Sequence, residues 1–302
     1  MHTQPVGLTA VAAREARNRA VRRILVLTFV ANISVVFAKG AAGVLANSLS
    51  VIADAAHSSV DAWNNVMALF LARIAAKAPD EEHPYGHAKF ETLGALAIVA
   101  FLSVTVYELV TGAILRLSGR GAIPEGTPFA IAVMLVSAIV NFFVARYESA
   151  AGRRLFSEIL IADAAHTRSD VYASLAVVAG LLLVRTGYPK ADALCTLFVA
   201  IVIARAGWRI LRSTVPILVD ERAVSEGTIR MLACNTAGVH DCFDVRSRGR
   251  AGEIFAELTI TVDRSLNVEQ AHHIADEVER RIARTVGARE VVVHVEPDVT
   301  GQ

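Results

Sequence analysis

The sequence predicts an α-helical membrane protein in which a bundle of six transmembrane helices is followed by a cytoplasmic α+β domain of the ferredoxin-like type. Three observations support this fold class. Of the 302 residues, 54% are hydrophobic, and the mean hydropathy of +0.47 is high for a soluble chain of this size. The apolar residues concentrate between about 24 and 215, and the remaining C-terminal part has the composition of a soluble domain.

Six segments have the length and composition of membrane spans, since crossing a bilayer takes roughly 20 mostly apolar residues. The predicted spans are 24–45, 50–74, 91–115, 127–148, 159–184 and 192–214. Lysine and arginine collect before the first span, after the second, after the fourth and around the end of the sixth. Because basic loops stay on the cytoplasmic side, both termini are expected in the cytoplasm, with the protein integral to the inner membrane of the cell.

The two ends of the chain differ in character. Residues 1–23 form a polar, Arg-rich segment without the apolar core of a secretory signal peptide. Residues 216–302 show helical spacing at 224–236, strand-like alternation at 243–248 and 254–262, an amphipathic helix at 267–286 and a strand at 290–295. The order αββαβ favours a small ferredoxin-like layer of sheet and helices.

Charge and cysteine content exclude some classes of protein. The formal net charge of +1 gives no indication of a nucleic-acid partner. Three cysteines make no disulfide framework. Cys234 and Cys242 form a conceivable metal cluster with His240, but their spacing fits no standard zinc signature, and ordinary packing is the favoured interpretation.

A repeated element carries the chemistry. Residues 53–61 (ADAAHSSVD) in the second span and 162–170 (ADAAHTRSD) in the fifth agree at six of nine positions. Each contains a His and an Asp four residues apart, which share one face of a helix. Because ionisable groups cost several kcal/mol inside a bilayer, these side chains must face a protein interior or a water-filled cavity.

If the second and fifth helices pack side by side, His57, Asp61, His166 and Asp170 converge. Two imidazole nitrogens and two carboxylate oxygens suit tetrahedral Zn²⁺. The alternative is that these groups only hydrogen-bond across helices and hold the bundle together, and the duplication argues against it.

Asp54 and Asp163 lie three residues before each His. They could ligate metal directly, orient a ligand His, or act as polar anchors near the helix entrance.

Together these residues resemble the cation diffusion facilitator family, and the resemblance covers nearly all of the chain after residue 20. It includes the two His-x-x-x-Asp elements, the His-containing stretch 80–91 (DEEHPYGHAKFE) and the C-terminal domain. The resemblance implies a homodimeric antiporter in the lipid bilayer that exchanges divalent metal ions for protons. It also implies that a site with two His and two Asp carries zinc, with Co²⁺, Cd²⁺, Fe²⁺ or Mn²⁺ as other possible substrates.

The resemblance implies further sites. Asp80, His83 and His87 match a loop metal site, although Pro84 argues against the helical spacing that would align the two His. A solvated loop that starts the third helix is the alternative. Lys89 and Asp220 match a charge pair that holds the dimer near the membrane surface.

In the C-terminal domain, His272, His294 and Glu296 match part of a regulatory metal site. Phe243 and Thr259 stand where some members have His, so a full binuclear site is not expected. The alternative for His272 is a polar position on an amphipathic helix.

Transport would follow from competition between metal and protons, because neutral imidazole binds metal and imidazolium does not. Alternating access would then expose the site to each side in turn. Two other functions are the alternatives. An intramembrane hydrolase would need a general base beside an open metal position, and neither His-Glu-x-x-His nor Gly-x-Ser-x-Gly occurs. A membrane metal sensor or scaffold would bind metal without moving it, and would not need intramembrane ligands.

Overall fold

The computed structural model describes residues 6–45, 49–119, 128–185, 191–250 and 252–298. The chain divides into two compact units, Met1–Thr214 and Val215–Gln302. The first unit consists of long helices and the second of a small sheet with two helices.

Each predicted span corresponds to one long helix. The helices are α1 (Val6–Leu45), α2 (Leu49–Ala75), α3 (Lys89–Leu117), α4 (Pro128–Leu155), α5 (Glu158–Arg185) and α6 (Ala191–Leu218). The main differences from the sequence prediction are that α1 starts at Val6 rather than at residue 24, and α4 continues to Leu155 rather than 148. Hydropathy marks where a helix is apolar, whereas Ala, Arg and Glu also extend a helix beyond the apolar part.

Among the described residues, four helical segments are long and apolar enough to cross a membrane. These are Ala12–Leu45, Lys89–Leu117, Ile131–Leu155 and Ala193–Leu218. The other two long helices, α2 and α5, contain the ionisable residues of the repeated element. A helical membrane unit is therefore supported, and the crossing of the bilayer by α2 and α5 stays a prediction.

The first unit is built from paired helices. α1 packs along α2, α4 packs along α5, and α3 contacts both α2 and α5. Its apolar core includes Leu25, Ile98 and Ile159, none of which is exposed. At Gly94, an added Cβ would lie 2.6 Å from Cδ1 of Ile159, so a larger residue there would have to displace the Ile159 side chain where α3 approaches α5.

A buried ion pair joins α1 and α3 to the connection between α4 and α5. Nη2 of Arg17 lies 3.0 Å from Oε2 of Glu91, whose side chain is only 4% exposed. The hydroxyl of Ser157 also donates to Glu91. Arg17 further donates to the backbone oxygens of Leu155 at 2.7 Å and Phe156 at 2.9 Å. One guanidinium thereby ties three segments of the first unit together.

The second unit contains α7 (Glu226–Cys234), β1 (Asp241–Arg250), β2 (Glu253–Val262), α8 (Val268–Val286) and β3 (Ala288–Pro297). The element order αββαβ is as predicted. The sheet order is β1-β2-β3, with β1 antiparallel to β2 and β2 parallel to β3. These observations establish a small sheet with two helices, and the ferredoxin-like assignment stays a prediction.

Local signals in the sequence explain the limits of α8. Asn267 and Gln270 form a reciprocal capping box at its N-terminus, and Gly287 ends it in a left-handed conformation with φ 69°. The predicted apolar stripe faces the core, where Val278 and Ile282 are completely buried. The second unit therefore has a hydrophobic core of its own.

Candidate metal centres

A small polar cavity lies among α1, α2, α4 and α5. Its volume is about 20 Å³, which is room for one water-sized sphere. The described residues that line it are mostly polar: Asn32, Val35, Ser58, Asn65, Asn141, His166, Thr167 and Asp170. Two of the four predicted transport ligands, His166 and Asp170, thus reach one cavity.

His166 is held in a defined orientation. The side chain is buried, with 3% exposure, and its Nε2 lies 2.8 Å from Nδ2 of Asn64. With the Asn64 amide in this orientation, its N–H donates and Nε2 accepts. A metal ion bound at Nε2 would take the place of the Asn64 amide.

The other half of the predicted set lies on α2. The side chains of His57, Asp61 and Asp54 are outside the described residues. The backbone of α2 is helical through all three positions, and Ser58, the neighbour of His57, lines the same cavity. The four-residue transport site therefore stays a prediction.

Asp163 is completely buried on α5 and is not among the described residues lining the cavity. Nδ2 of Asn65 donates to its Oδ2 at 3.3 Å, and Oδ1 of Asn65 accepts from Nδ2 of Asn32 at 3.2 Å. These bonds join α1, α2 and α5. Asp163 is thus anchored to the amides of neighbouring helices, and its relation to a ligand His stays a prediction.

Sequence analysis did not single out several polar residues around the cavity. They are Asn32, Asn64, Asn65 and Asn141, together with Lys39, whose Nζ donates to Oγ of Ser58 at 3.0 Å. Lys39 is 7% exposed and lies in the last two turns of α1. Each is a polar residue within an otherwise apolar span, and this property could have identified them from the sequence.

The loop before α3 brings three predicted ligands together. Asp80, His83 and His87 place one ligand atom each within 4.8 Å of one another, the one such group of three or more found in the described ranges. The segment is not helical. A turn from His83 to Gly86, with a 2.9 Å backbone hydrogen bond and φ 86° at Gly86, brings the two imidazole rings to 4.3 Å between centroids.

The orientation of the loop side chains suits a metal ion. Nδ1 of His87 donates to the backbone oxygen of Ala78 at 3.1 Å, which leaves Nε2 directed at Oδ2 of Asp80, 3.3 Å away. An imidazole whose second nitrogen is fixed by a carbonyl is typical of metal ligands. Desolvation opposes ionisation of Asp80, but the backbone N–H and side chain of His83 and the charge of His87 outweigh it and lower the pKa of this carboxyl.

Replacing His87 by alanine is expected to weaken Zn²⁺ binding at the loop at least tenfold, equivalent to about 1.4 kcal/mol. The change removes the best-oriented ligand. Calorimetric titration of the full-length protein with Zn²⁺ measures it, with Glu82→Ala as the control because Glu82 is exposed in the same loop. Equal affinity in both variants would show that the loop holds no metal through His87.

The predicted cytoplasmic ligands do not form a three-residue group within one chain. Nε2 of His272 lies 3.7 Å from Oδ1 of Asp276, and Nε2 of His294 lies 3.6 Å from Oε1 of Glu296. Both imidazoles are largely exposed. A metal site built on His272, His294 and Glu296 stays a prediction.

Two further predictions concern the second unit. Asp220 forms an ion pair with Arg248 at 3.6 Å, and its predicted pairing with Lys89 stays a prediction.

Nδ1 of His240 pairs with Asp298 at 2.8 Å, while Cys242 is fully buried in the core. Burial raises the pKa of the Cys242 thiol to about 11. A neutral core thiol supports ordinary packing rather than a Cys234–His240–Cys242 metal site.

Comparison with known proteins agrees with a helical membrane unit that is followed by a second domain. The model of the cation efflux transmembrane domain matches residues 25–219, and the model of the cation efflux protein cytoplasmic domain matches residues 222–298. The chain belongs to the cation efflux family, which confirms the resemblance to the cation diffusion facilitators. Its members are transporters and not enzymes.

Relatives match over their full length. An uncharacterized transporter of Methanocaldococcus jannaschii is 31% identical over 281 residues, which are 92% of this chain and 99% of the relative. The magnetosome protein MamB of Magnetospira sp. is 28% identical over 295 residues, 96% of this chain and 98% of the relative. The manganese efflux system protein MneP of Bacillus subtilis is 28% identical over 294 residues, 93% of this chain and 97% of the relative.

Proposed function

We propose that this chain exports divalent metal ions from the cytoplasm in exchange for protons, with Zn²⁺ as the main substrate. The supporting observation is the polar cavity of about 20 Å³, lined by the buried His166 and by Asp170, inside the helical membrane unit. Co²⁺, Cd²⁺, Fe²⁺ and Mn²⁺ are the alternative substrates.

The proposed transport site comprises His57, Asp61, His166 and Asp170. Metal binding requires neutral imidazole and ionised carboxylate, so a proton and a metal ion compete for the same atoms. His166 takes up a proton as the ion leaves on the outer side and releases it as a new ion binds from the cytoplasm. Alternating access is achieved by movement of the helices that carry the site relative to their neighbours.

The choice of zinc rests on the ligand set. Two imidazoles and two carboxylates favour Zn²⁺ over harder ions, although the order of intrinsic affinities does not by itself select the metal. MneP is named for manganese and MamB for the magnetosome. Substrate specificity therefore has to be measured on this chain.

The test is metal uptake into sealed proteoliposomes, with Zn²⁺, Co²⁺, Cd²⁺, Fe²⁺ and Mn²⁺ each supplied at the same concentration. We expect the fastest flux for Zn²⁺, acceleration by an outwardly directed proton gradient, and loss of that acceleration when an ionophore collapses the gradient. Binding without flux for every metal would instead support a non-transporting sensor or scaffold. Flux that ignores the gradient would contradict proton exchange.

Replacing His57 by aspartate is expected to lower the ratio of Zn²⁺ flux to Mn²⁺ flux about tenfold. The substitution exchanges a softer imidazole nitrogen for a third carboxylate, and carboxylate oxygen suits harder ions. The ratio is measured in the same proteoliposomes, with His273→Asp as the control because His273 is exposed on α8. An unchanged ratio would argue against His57 as a ligand.

The same proposal includes a homodimer in the inner membrane with both termini in the cytoplasm. The second unit dimerises and senses metal through His272, His294 and Glu296, and Lys89 and Asp220 pair to hold the dimer near the membrane surface. The loop residues Asp80, His83 and His87 bind a further ion. The match of residues 222–298 to the family's cytoplasmic domain supports this arrangement, and cross-linking of the intact protein in membranes tests it.

A further inference from the structure

Glu148 on α4 is a buried carboxyl without a hydrogen-bond donor. Its side chain has 0% exposure, and within the described part of the chain neither oxygen has a hydrogen-bond partner. The hydroxyl of Thr28 is a neighbour, but it donates to the backbone oxygens of Ile24 and Leu25 on its own helix. A carboxylate in this position lacks the compensation that buried charges require.

A second buried carboxyl is the nearest acidic neighbour of Glu148. Asp163 on α5 also has 0% exposure, and the two carboxyls interact directly. Asn65 donates to Oδ2 of Asp163, while Oδ1 has no hydrogen-bond partner among the described residues. Three buried oxygens of these two interacting carboxyls therefore have no hydrogen-bond donor among the described residues.

Among the described residues, no lysine or arginine forms an ion pair with Glu148 or Asp163. The imidazole of His166 is a basic group that interacts with Asp163. Two adjacent carboxylates in a water-excluded interior repel each other strongly. Oxygen atoms arranged in this way suit a hard divalent cation.

The pair occupies a specific place relative to the transport cavity. Asp163 precedes His166 by three residues, about one helical turn on α5. Glu148 follows the cavity residue Asn141 by seven residues, about two turns on α4. Both therefore lie on the side of the cavity that faces the α4–α5 connection.

We propose that Glu148 and Asp163 form a second cation site, which binds a divalent metal ion between the α4–α5 connection and the transport site. This inference rests on the proposed transport function and adds to it a waiting position for the cargo. The site is distinct from the His-x-x-x-Asp ligands, because its oxygens come from α4 and from one turn earlier on α5.

The test counts Mn²⁺ ions bound per full-length chain in detergent, from the free Mn²⁺ signal in electron paramagnetic resonance. The background is the double variant His166→Ala and Asp170→Ala, so that the transport site does not contribute. Adding Glu148→Gln, which keeps the shape and removes the charge, is expected to lower the count by one further ion. Glu108→Gln is the matched control, because Glu108 lies exposed on α3 and its loss should leave the count unchanged.

Each outcome decides the question. An equal Mn²⁺ count with and without Glu148→Gln overturns the second site. An equal Mn²⁺ count together with fewer protons released per Mn²⁺ bound in the Glu148→Gln variant also overturns the second cation site. It identifies Glu148 and Asp163 as a proton site. If Glu148→Gln lowers the melting temperature too far, Asp163→Asn serves as the second variant. Absence of flux in wild-type proteoliposomes would refute transport while leaving the binding count valid.

Discussion

Replacement of His166 by alanine is expected to reduce metal flux at least about a hundredfold, equivalent to about 2.7 kcal/mol, with the protein still folded. The imidazole is buried and lines the cavity. Its loss removes the proposed nitrogen ligand, and a water molecule in its place would be less basic. Asp170→Ala is expected to act in the same way, because its carboxylate lines the same cavity.

The initial rate of Zn²⁺ uptake into proteoliposomes measures this effect, and circular dichroism of the purified variants checks that the helices are intact. His273→Ala is the control, since it removes an exposed imidazole of the second unit. Normal flux through a folded His166→Ala or Asp170→Ala protein would rule out the proposed site. Asn64→Ala is informative as well, because losing the amide that holds the ring should weaken flux less than losing the ring itself.

The largest expected effect on stability follows from replacing Arg17 by methionine. Glu91 would then lose the guanidinium bound to its buried carboxylate, and breaking a buried ion pair from one side costs about 3–5 kcal/mol. The same change removes the donors to the backbone oxygens of Leu155 and Phe156. We expect a clear fall in the unfolding midpoint of the purified protein in denaturant.

Two further variants separate the ion pair from general damage. The double variant Arg17→Met with Glu91→Leu should recover most of the lost stability, because apolar groups then replace both charges of this pair. Arg19→Met removes an exposed partner of Glu15 and should change stability by only about 0–1 kcal/mol. If Arg17→Met and Arg19→Met were equally stable, the buried ion pair would contribute nothing.

Most of the secondary structure could be predicted from local pattern. Runs of apolar residues located all six long helices, and alternation located two of the three strands. The missed parts depend on contacts between distant segments. Arg17 and Glu91 are 74 residues apart in the chain, and no local pattern indicates that they pair. The N-terminal extension of α1 was missed because hydropathy measures solvation and not backbone conformation.

For the candidate sites too, local sequence pattern could predict some residues, and the others depend on contacts between distant segments. His166 and Asp170 could be predicted, because ionisable residues inside an apolar span require a reason. The contact of Asn64 with His166 and the burial of Glu148 could not be assigned, since this needs the rotation of α2 and α4 about their axes. In the loop, Pro84 indicated that the segment is not helical. The structure shows that a turn ending at Gly86 brings His83 and His87 together instead.

The pairing of the helices has a consequence for biosynthesis. α2 and α5, which carry the ionisable residues, each follow an apolar helix after a very short connection: residues 46–48 before α2 and Phe156–Ser157 before α5. A segment with several charges partitions poorly into lipid when the translocon presents it alone. We therefore expect α1–α2 and α4–α5 to leave the translocon as hairpins, in which the first helix shields the polar face of the second. The order of synthesis would then protect the metal ligands from lipid before the bundle is complete.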